Sequence, residues 1–129
     1  MKLKVFLWLI ICSLSTHLVA QNVNDDIVKA FEQGQASLLT NHLSEEVSTC
    51  ILNQQSRVKK QEAVEKIADF FKTIQIQSFK IKHTSVRDES GYIIGSLQST
   101  KDKYRVNCFF KKENNNFFIH QIRIDKANE

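Results

Sequence analysis

The first twenty residues constrain this chain more than any other segment, because they have the layout of a secretory signal. Lys2 and Lys4 come just before an apolar run over residues 5–14, and the segment ends on the small residue Ala20. A basic lead, an apolar middle and a small residue at the cleavage point are the three parts of such a signal. We therefore predict a signal peptide over residues 1–20 and an exported protein, either periplasmic or secreted.

A lasting membrane anchor is the weaker interpretation of the same segment. A helix needs about twenty apolar residues to cross a bilayer, whereas this run covers ten and contains Cys12 and Ser13. Cys12 follows two isoleucines rather than small residues, so lipid attachment there is not expected. Cleavage after Ala20 leaves residues 21–129, a length that suits a single domain.

Charge and composition argue against nucleic-acid binding and against long linkers. The chain has 18 Lys+Arg and 14 Asp+Glu, and loss of Lys2 and Lys4 leaves 16 against 14, a formal net charge of +2. Nucleic-acid binding calls for a concentrated basic patch, which this balance does not indicate. The chain has three glycines and no proline, so no flexible linker is predicted.

Two cysteines, Cys50 and Cys108, remain after the predicted cleavage. A disulfide is allowed outside the cytosol, and both residues fall in strand-like segments. The sequence does not fix the distance between them. A cross-sheet disulfide and a pair of buried free thiols therefore both remain open.

The apolar spacing in the first half predicts helices with one strand among them. A helix capped within residues 24–26 ends at Gly34, and a short helix follows over residues 36–42. Alternation then predicts a strand over residues 45–53 and a turn at residues 54–56.

The clearest helix covers residues 60–72, with Phe70 and Phe71 on a wide apolar stripe. The rest of the chain alternates as four strands joined by short polar turns, which predicts an antiparallel meander. Phe79, Ile81 and His83 are predicted to share one strand face. This order of elements predicts an α+β fold, with the helices packed on one face of a strongly curved antiparallel sheet.

Several segments together resemble a known superfamily. They are Ile27–Phe31 with Gly34, Phe70-Phe71, Ser78–His83, Tyr92–Leu97, Tyr104–Val106 and Ile122–Ile124. With the order of elements, they resemble the nuclear transport factor 2-like superfamily, which includes ketosteroid isomerases and polyketide cyclases. Within it, residues 22–126 are most similar to an uncharacterised family of small exported bacterial proteins, the domain of unknown function 4783. The resemblance implies a cone-shaped sheet around helices, often dimeric, with a pocket at the open end. It implies no activity.

One candidate pocket combines Phe70, His83, Tyr92 and Asp69. His83 shares a predicted face with Phe79, and a neutral imidazole pointing at the helices is a candidate acid or base. Asp69 is the one acid flanked by core-like positions. A hydrogen-bonded structural histidine is the favoured alternative, so we assign no catalytic residue.

A second candidate is a basic sheet face that holds a carboxylate, a phosphate or a partner protein through Lys82, Arg105 and Arg123. A plain solvated face is the alternative. The other residues predicted on this side are Lys80, Lys111, Asn107, Gln121, Phe109 and Ile119.

The sequence lacks metal-ligand spacing, a nucleophile motif and a glycine-rich phosphate loop. We therefore predict no cofactor and no metal site. The expected function is non-catalytic binding of a small apolar or anionic ligand, or of a protein, with a homodimer among the alternatives. The runner-up is an isomerase or cyclase-type enzyme using His83, with Asp69 or Tyr92 assisting.

Overall fold

The computed structural model describes residues 23–127. The predicted signal peptide of residues 1–20 lies outside them, as does Cys12. The elements, in chain order, are α1 (residues 23–33), a 3-10 helix (Ala36–His42), β1 (Leu43–Ile51), β2 (Gln54–Lys59), α2 (Lys60–Lys72), β3 (Ile76–Val86), β4 (Ser90–Ser99), β5 (Lys103–Glu113) and β6 (Asn116–Lys126).

All six strands form one sheet in the order β2-β1-β6-β5-β4-β3. β1 and β6 pair in parallel, and every other neighbouring pair is antiparallel. The helices pack on one face, called here the inner face, and the opposite face is called the outer face. The predicted α+β fold, with helices on one side of a mostly antiparallel sheet, is confirmed. Within residues 23–127, no helix is both long and apolar enough to cross a membrane.

Three phenylalanines join the helices to the sheet. The Phe31 ring of α1 stacks on Phe79 of β3, with ring centroids 4.9 Å apart. It also meets the edge of Phe71 of α2 at 5.4 Å. Beneath them, a Cβ atom on Gly95 would lie 2.3 Å from Phe79 Cζ, so only glycine leaves room for that ring. The cluster therefore fills the space between the helices and the inner face.

The start of α1 differs from the predicted start, whereas its end at Gly34 agrees with the prediction. Asp26 is not a cap, because the helix already includes it; its Oδ2 instead lies 2.7 Å from His42 Nε2 and ties α1 to the 3-10 helix. Gly34 does end the helix, with a φ of 65°. The Gln35 N–H donates to the Ala30 carbonyl at 2.9 Å, which closes the turn around a left-handed glycine.

The prediction of a turn at residues 54–56 is wrong, because this segment belongs to the edge strand β2. The turn lies at Leu52 and Asn53, whose φ angles are 50° and 71°. The burial pattern of β2 has only Ser56 and Val58 half-buried among exposed residues. An edge strand with so few apolar residues has no alternating pattern to reveal it.

The two cysteines are free thiols on opposite faces of the sheet. Cys108 pairs in register with buried Ile122 and faces the core, whereas Cys50 pairs with Arg123 on the outer face. The sequence leaves open a disulfide or two buried free thiols, and the structure contains the two buried free thiols. Burial raises the pKa of the Cys108 thiol to about 12, so this group stays protonated and unreactive at neutral pH.

We predict that Phe31→Ala lowers the free energy of unfolding by about 3–5 kcal/mol, since it removes a buried ring and leaves a cavity. Urea unfolding followed by circular dichroism measures the change. The control is Val86→Ala, at a side chain that is 69% exposed, which should cost under about 0.5 kcal/mol. Equal losses for the two variants would contradict the role of the aromatic cluster.

We predict that residues 21–129, prepared without reductant, react with two equivalents of a thiol reagent after unfolding, one each at Cys50 and Cys108. The folded protein should react far more slowly, because both thiols are buried. Mass spectrometry counts the adducts. Unfolded protein that takes up no reagent would indicate a disulfide and contradict the assignment of free thiols.

Candidate functional site

One row of side chains crosses the outer face from edge to edge, with one residue from each strand. Neighbouring strands lie about 4.8 Å apart, so five spacings give the row a length of roughly 24 Å. The same residues line a single cavity of about 630 Å³. Strand register sets the row in the order Arg57, Ser48, Gln121, Phe109, Tyr92, Ser85.

We call this cavity the outer trough. Besides the row, it is lined by Arg87, Ser90, Gly91, Phe110, Lys111 and His120. Its floor carries an exposed aromatic pair, because Tyr92 and Phe109 are each 37% exposed. Their ring centroids lie 6.4 Å apart with the planes tilted by 48°. The trough thus combines an apolar platform with hydroxyl and amide groups on both sides.

Two cations, Arg87 and Lys111, flank the aromatic pair along one side of the trough, with Ser90 of β4 between them. Lys111 pairs in register with Ser90, whose carbonyl accepts a hydrogen bond of 2.7 Å from the Arg87 N–H. Both side chains are exposed, and neither has a carboxylate partner within residues 23–127. At one end of the row, Arg57 Nε lies 3.0 Å from Glu46 Oε2. Since no carboxylate is among the residues that line the trough, the site favours negatively charged groups.

A β-bulge in β6 shapes one wall of the trough. Phe109 pairs with Gln121 and Phe110 with Ile119, so His120 is an extra residue in β6. The bulge reverses the alternation, and Ile119 is completely buried in the core rather than on the outer face. The prediction that Ile119 shares a face with Phe109 is therefore wrong.

The bulged histidine belongs to a small polar cluster that the sequence analysis missed. His120 Nε2 lies 3.4 Å from Glu113 Oε2, without hydrogen-bond geometry. Ser44 donates its hydroxyl proton to the same carboxylate oxygen at 3.1 Å. The cluster links the start of β1 to the β5–β6 hairpin. No sequence signal indicates it, because its three members are brought together only by the sheet.

A second bulge, in β3, overturns the predicted orientation of His83. Ile81 pairs with Gly95 and His83 with Ile94, so Lys82 is the extra residue. After the bulge, His83 is exposed on the outer face instead of facing the helices with Phe79. The alternation that predicted an inward histidine does not continue past Ile81.

The candidate pocket of Phe70, His83, Tyr92 and Asp69 is not assembled. Phe70 is buried against Tyr104, with centroids 5.2 Å apart, and Tyr92 lies in the outer trough. Asp69 is exposed on α2, where its Oδ1 lies 3.7 Å from Lys72 Nζ. Since α2 and His83 lie on opposite faces of the sheet, Asp69 and His83 do not form an acid–base pair.

The structure distributes the candidate anion residues over the outer face. Lys82 and Arg105 share a recess of about 330 Å³ with His83, beside the outer trough. Arg123 is engaged, because its Nε donates to Asp125 Oδ2 at 2.7 Å. This hydrogen bond and the charge of Asp125 raise the pKa of Arg123 further. Of the three, Arg123 therefore offers the least free charge to a ligand.

Two other recesses have different surroundings, one away from the outer trough and one adjoining it. A cleft of about 450 Å³ separates α2 from the β1–β2 hairpin, with Asp69 and Lys66 in its wall. An apolar groove of about 180 Å³ adjoins the trough at Tyr92 and is lined by Val86, Ile93 and Phe117, among others. Among residues 23–127, no group of His, Cys, Asp or Glu is arranged to hold a metal ion.

A family model described as "Domain of unknown function (DUF4783)" matches residues 24–125. The chain belongs to the DUF4783 family. A crystal structure of a DUF4783 family protein from Bacteroides uniformis ATCC 8492 is 40% identical, covers 84% of this chain and 100% of its own, and has a TM-score of 0.79. The corresponding protein from Bacteroides ovatus ATCC 8483 is 37% identical, covers 84% of this chain and 99% of its own, and has a TM-score of 0.78.

More distant structures show the wider fold. An NTF-2 like protein of unknown function from Silicibacter pomeroyi DSS-3 has a TM-score of 0.63 at 10% identity, covering 88% of this chain and 98% of its own. This likeness confirms the nuclear transport factor 2-like fold of the DUF4783 chain. No curated protein matches the sequence.

Proposed function

We propose that the protein is an exported, non-catalytic binding module that holds an anionic ligand in the outer trough. One observation carries the proposal: Arg87 and Lys111 lack carboxylate partners within residues 23–127 and stand beside the exposed pair Tyr92 and Phe109. Guanidinium and ammonium groups that are exposed and have no carboxylate partner bind carboxylate, sulfate or phosphate through charge-assisted hydrogen bonds. The aromatic pair adds apolar contact area beside the charge.

Binding without catalysis is favoured by the separation of the titratable groups. Asp69 and His83 lie on opposite faces of the sheet, and the buried Cys108 thiol is held protonated by its raised pKa. A proton transfer step needs an acid or base within hydrogen-bond reach of its substrate and of an orienting partner. The trough is also lined by the imidazole of His120, but its Nε2 lies 3.4 Å from Glu113 Oε2 without hydrogen-bond geometry, so no hydrogen bond orients this ring. The cations, hydroxyls and aromatic floor of the trough bind and orient a ligand.

The proposal of export rests on the N-terminal segment.

The positive charge of the outer face decides between a ligand and a second copy of the chain as the occupant. Lys80, Lys82, Arg105 and Lys111 are exposed on strands β3 and β5 without carboxylate partners in the described chain. Two copies meeting through this face would bring like charges together, which costs several kcal/mol. We therefore favour an anionic ligand over a second copy of the chain as the occupant.

Inorganic sulfate is the simplest probe of this proposal. We expect sulfate, titrated into residues 21–129 at low ionic strength, to shift backbone amide NMR signals near Arg87, Ser90 and Lys111. Affinity should be weak, with a dissociation constant on the order of 1 mM, and should weaken further with added potassium chloride, because exposed charges are screened.

The double variant Arg87→Gln/Lys111→Gln should lose these shifts. Lys29→Gln removes an exposed cation on α1, on the other side of the molecule, and should leave them unchanged. The proposal fails if sulfate perturbs no residue of the trough, or if the double variant binds it as well as the original protein.

A further inference from the structure

We propose that the occupant of the outer trough is a linear acidic oligosaccharide that lies across the strands. This inference rests on the proposed function and narrows it to one ligand class. The observation that carries it is a row of side chains about 24 Å long. An exposed aromatic pair stands between hydroxyl and amide groups of this row, with Arg57 at one end and Arg87 and Lys111 beside the aromatic pair.

The length and direction of the trough favour an extended ligand. The row takes one residue from each of the six strands, so a ligand that follows it runs perpendicular to the strands. A single small anion would occupy only the place beside Arg87 and Lys111. A chain of several sugar units would contact the full row.

The middle of the row suits sugar rings. Tyr92 and Phe109 offer apolar surface to the C–H faces of a ring and keep a polar edge exposed. Gln121 can donate and accept hydrogen bonds, and the serine hydroxyls at positions 48 and 85 can do both as well. Sugar hydroxyls need such two-way partners at intervals along a chain.

An acidic peptide fits this surface less well. Sheets recognise extended peptides chiefly by main-chain pairing along an exposed edge strand. The trough runs across the face, where the backbone groups of β1, β6, β5 and β4 are used by strands on both sides. A peptide lying there would contact side chains only, and its own backbone N–H and C=O groups would have no strand backbone to hydrogen-bond with.

Single-stranded nucleic acid also fits less well, although it combines negative charge with stacking. Its phosphates recur at every nucleotide and call for cations along the whole path. The row itself contains one cation, Arg57, and its Nε lies 3.0 Å from Glu46 Oε2. Arg87 and Lys111 lie beside the aromatic pair alone. Gln121 and Ser48 occupy the stretch between Arg57 and the aromatic pair.

Isothermal titration calorimetry on residues 21–129 tests the inference with hexagalacturonate as the probe. We expect it to bind at least about tenfold more tightly than sulfate, because it contacts the row as well as the cations. The uncharged galactohexaose, hexaglutamate and a thymidine hexanucleotide should each bind at least about tenfold more weakly than hexagalacturonate.

Aromatic variants separate the ligand class from simple anion binding. Tyr92→Ala and Phe109→Ala should each weaken hexagalacturonate binding by about three- to tenfold while leaving sulfate shifts unchanged. Tyr92→Phe, which keeps the ring, should bind close to the original protein. Thermal unfolding of each variant checks that the fold is retained, and Lys29→Gln serves as the charge control.

The outcomes distinguish the two proposals. If sulfate binds at the trough but hexaglutamate or the hexanucleotide outcompetes hexagalacturonate, the oligosaccharide inference is wrong and anion binding stands. Equal binding of galactohexaose, or aromatic variants with unchanged hexagalacturonate affinity, also overturns the inference. If neither sulfate nor hexagalacturonate binds, both proposals fall.

Discussion

The stacking of Phe31 on Phe79, with Phe71 against its edge, is the contact on which the arrangement of this protein depends. It fixes α1 and α2 against β3, and the missing side chain at Gly95 lets Phe79 lie flat on the neighbouring strand. Because aromatic rings occupy the space beneath the helices, the inner side of the sheet is packed as core. The cavity of about 630 Å³ opens on the other side, and the proposed binding role follows from this division of the two faces.

Two of the single-residue bulges in the sheet decide which side chains near the trough reach that outer face. Lys82 is an extra residue in β3 and His120 in β6, and each reverses the alternation of its strand. The first bulge brings His83 outward, and the second sends Ile119 into the core. Since side chains alternate with a period of two, one added residue moves every later side chain to the opposite face.

Local patterns were enough to predict the fold but not the site. The apolar stripe gave α2 its bounds, Lys60–Lys72, because helix periodicity over thirteen residues is a strong signal. Strand β2 was missed since its edge position leaves few buried residues. A bulge has no clear signature in a single sequence, so His83 was placed on the wrong face. The outer trough depends on register among six strands, which no local pattern contains.

The parallel pairing of β1 with β6 has a consequence for how the chain reaches its native state. β6 separates β1 from β5 in the sheet, although it is the last of the six described strands in chain order. A polypeptide that emerges N-terminus first therefore carries β1 with one unsatisfied edge until Asn116–Lys126 has arrived. Closing such a long loop is slow, and an open edge invites pairing with other chains. Strand β6 therefore joins the pair β1–β2 to the three strands β3–β5, and shortening it would leave these two groups of strands separate.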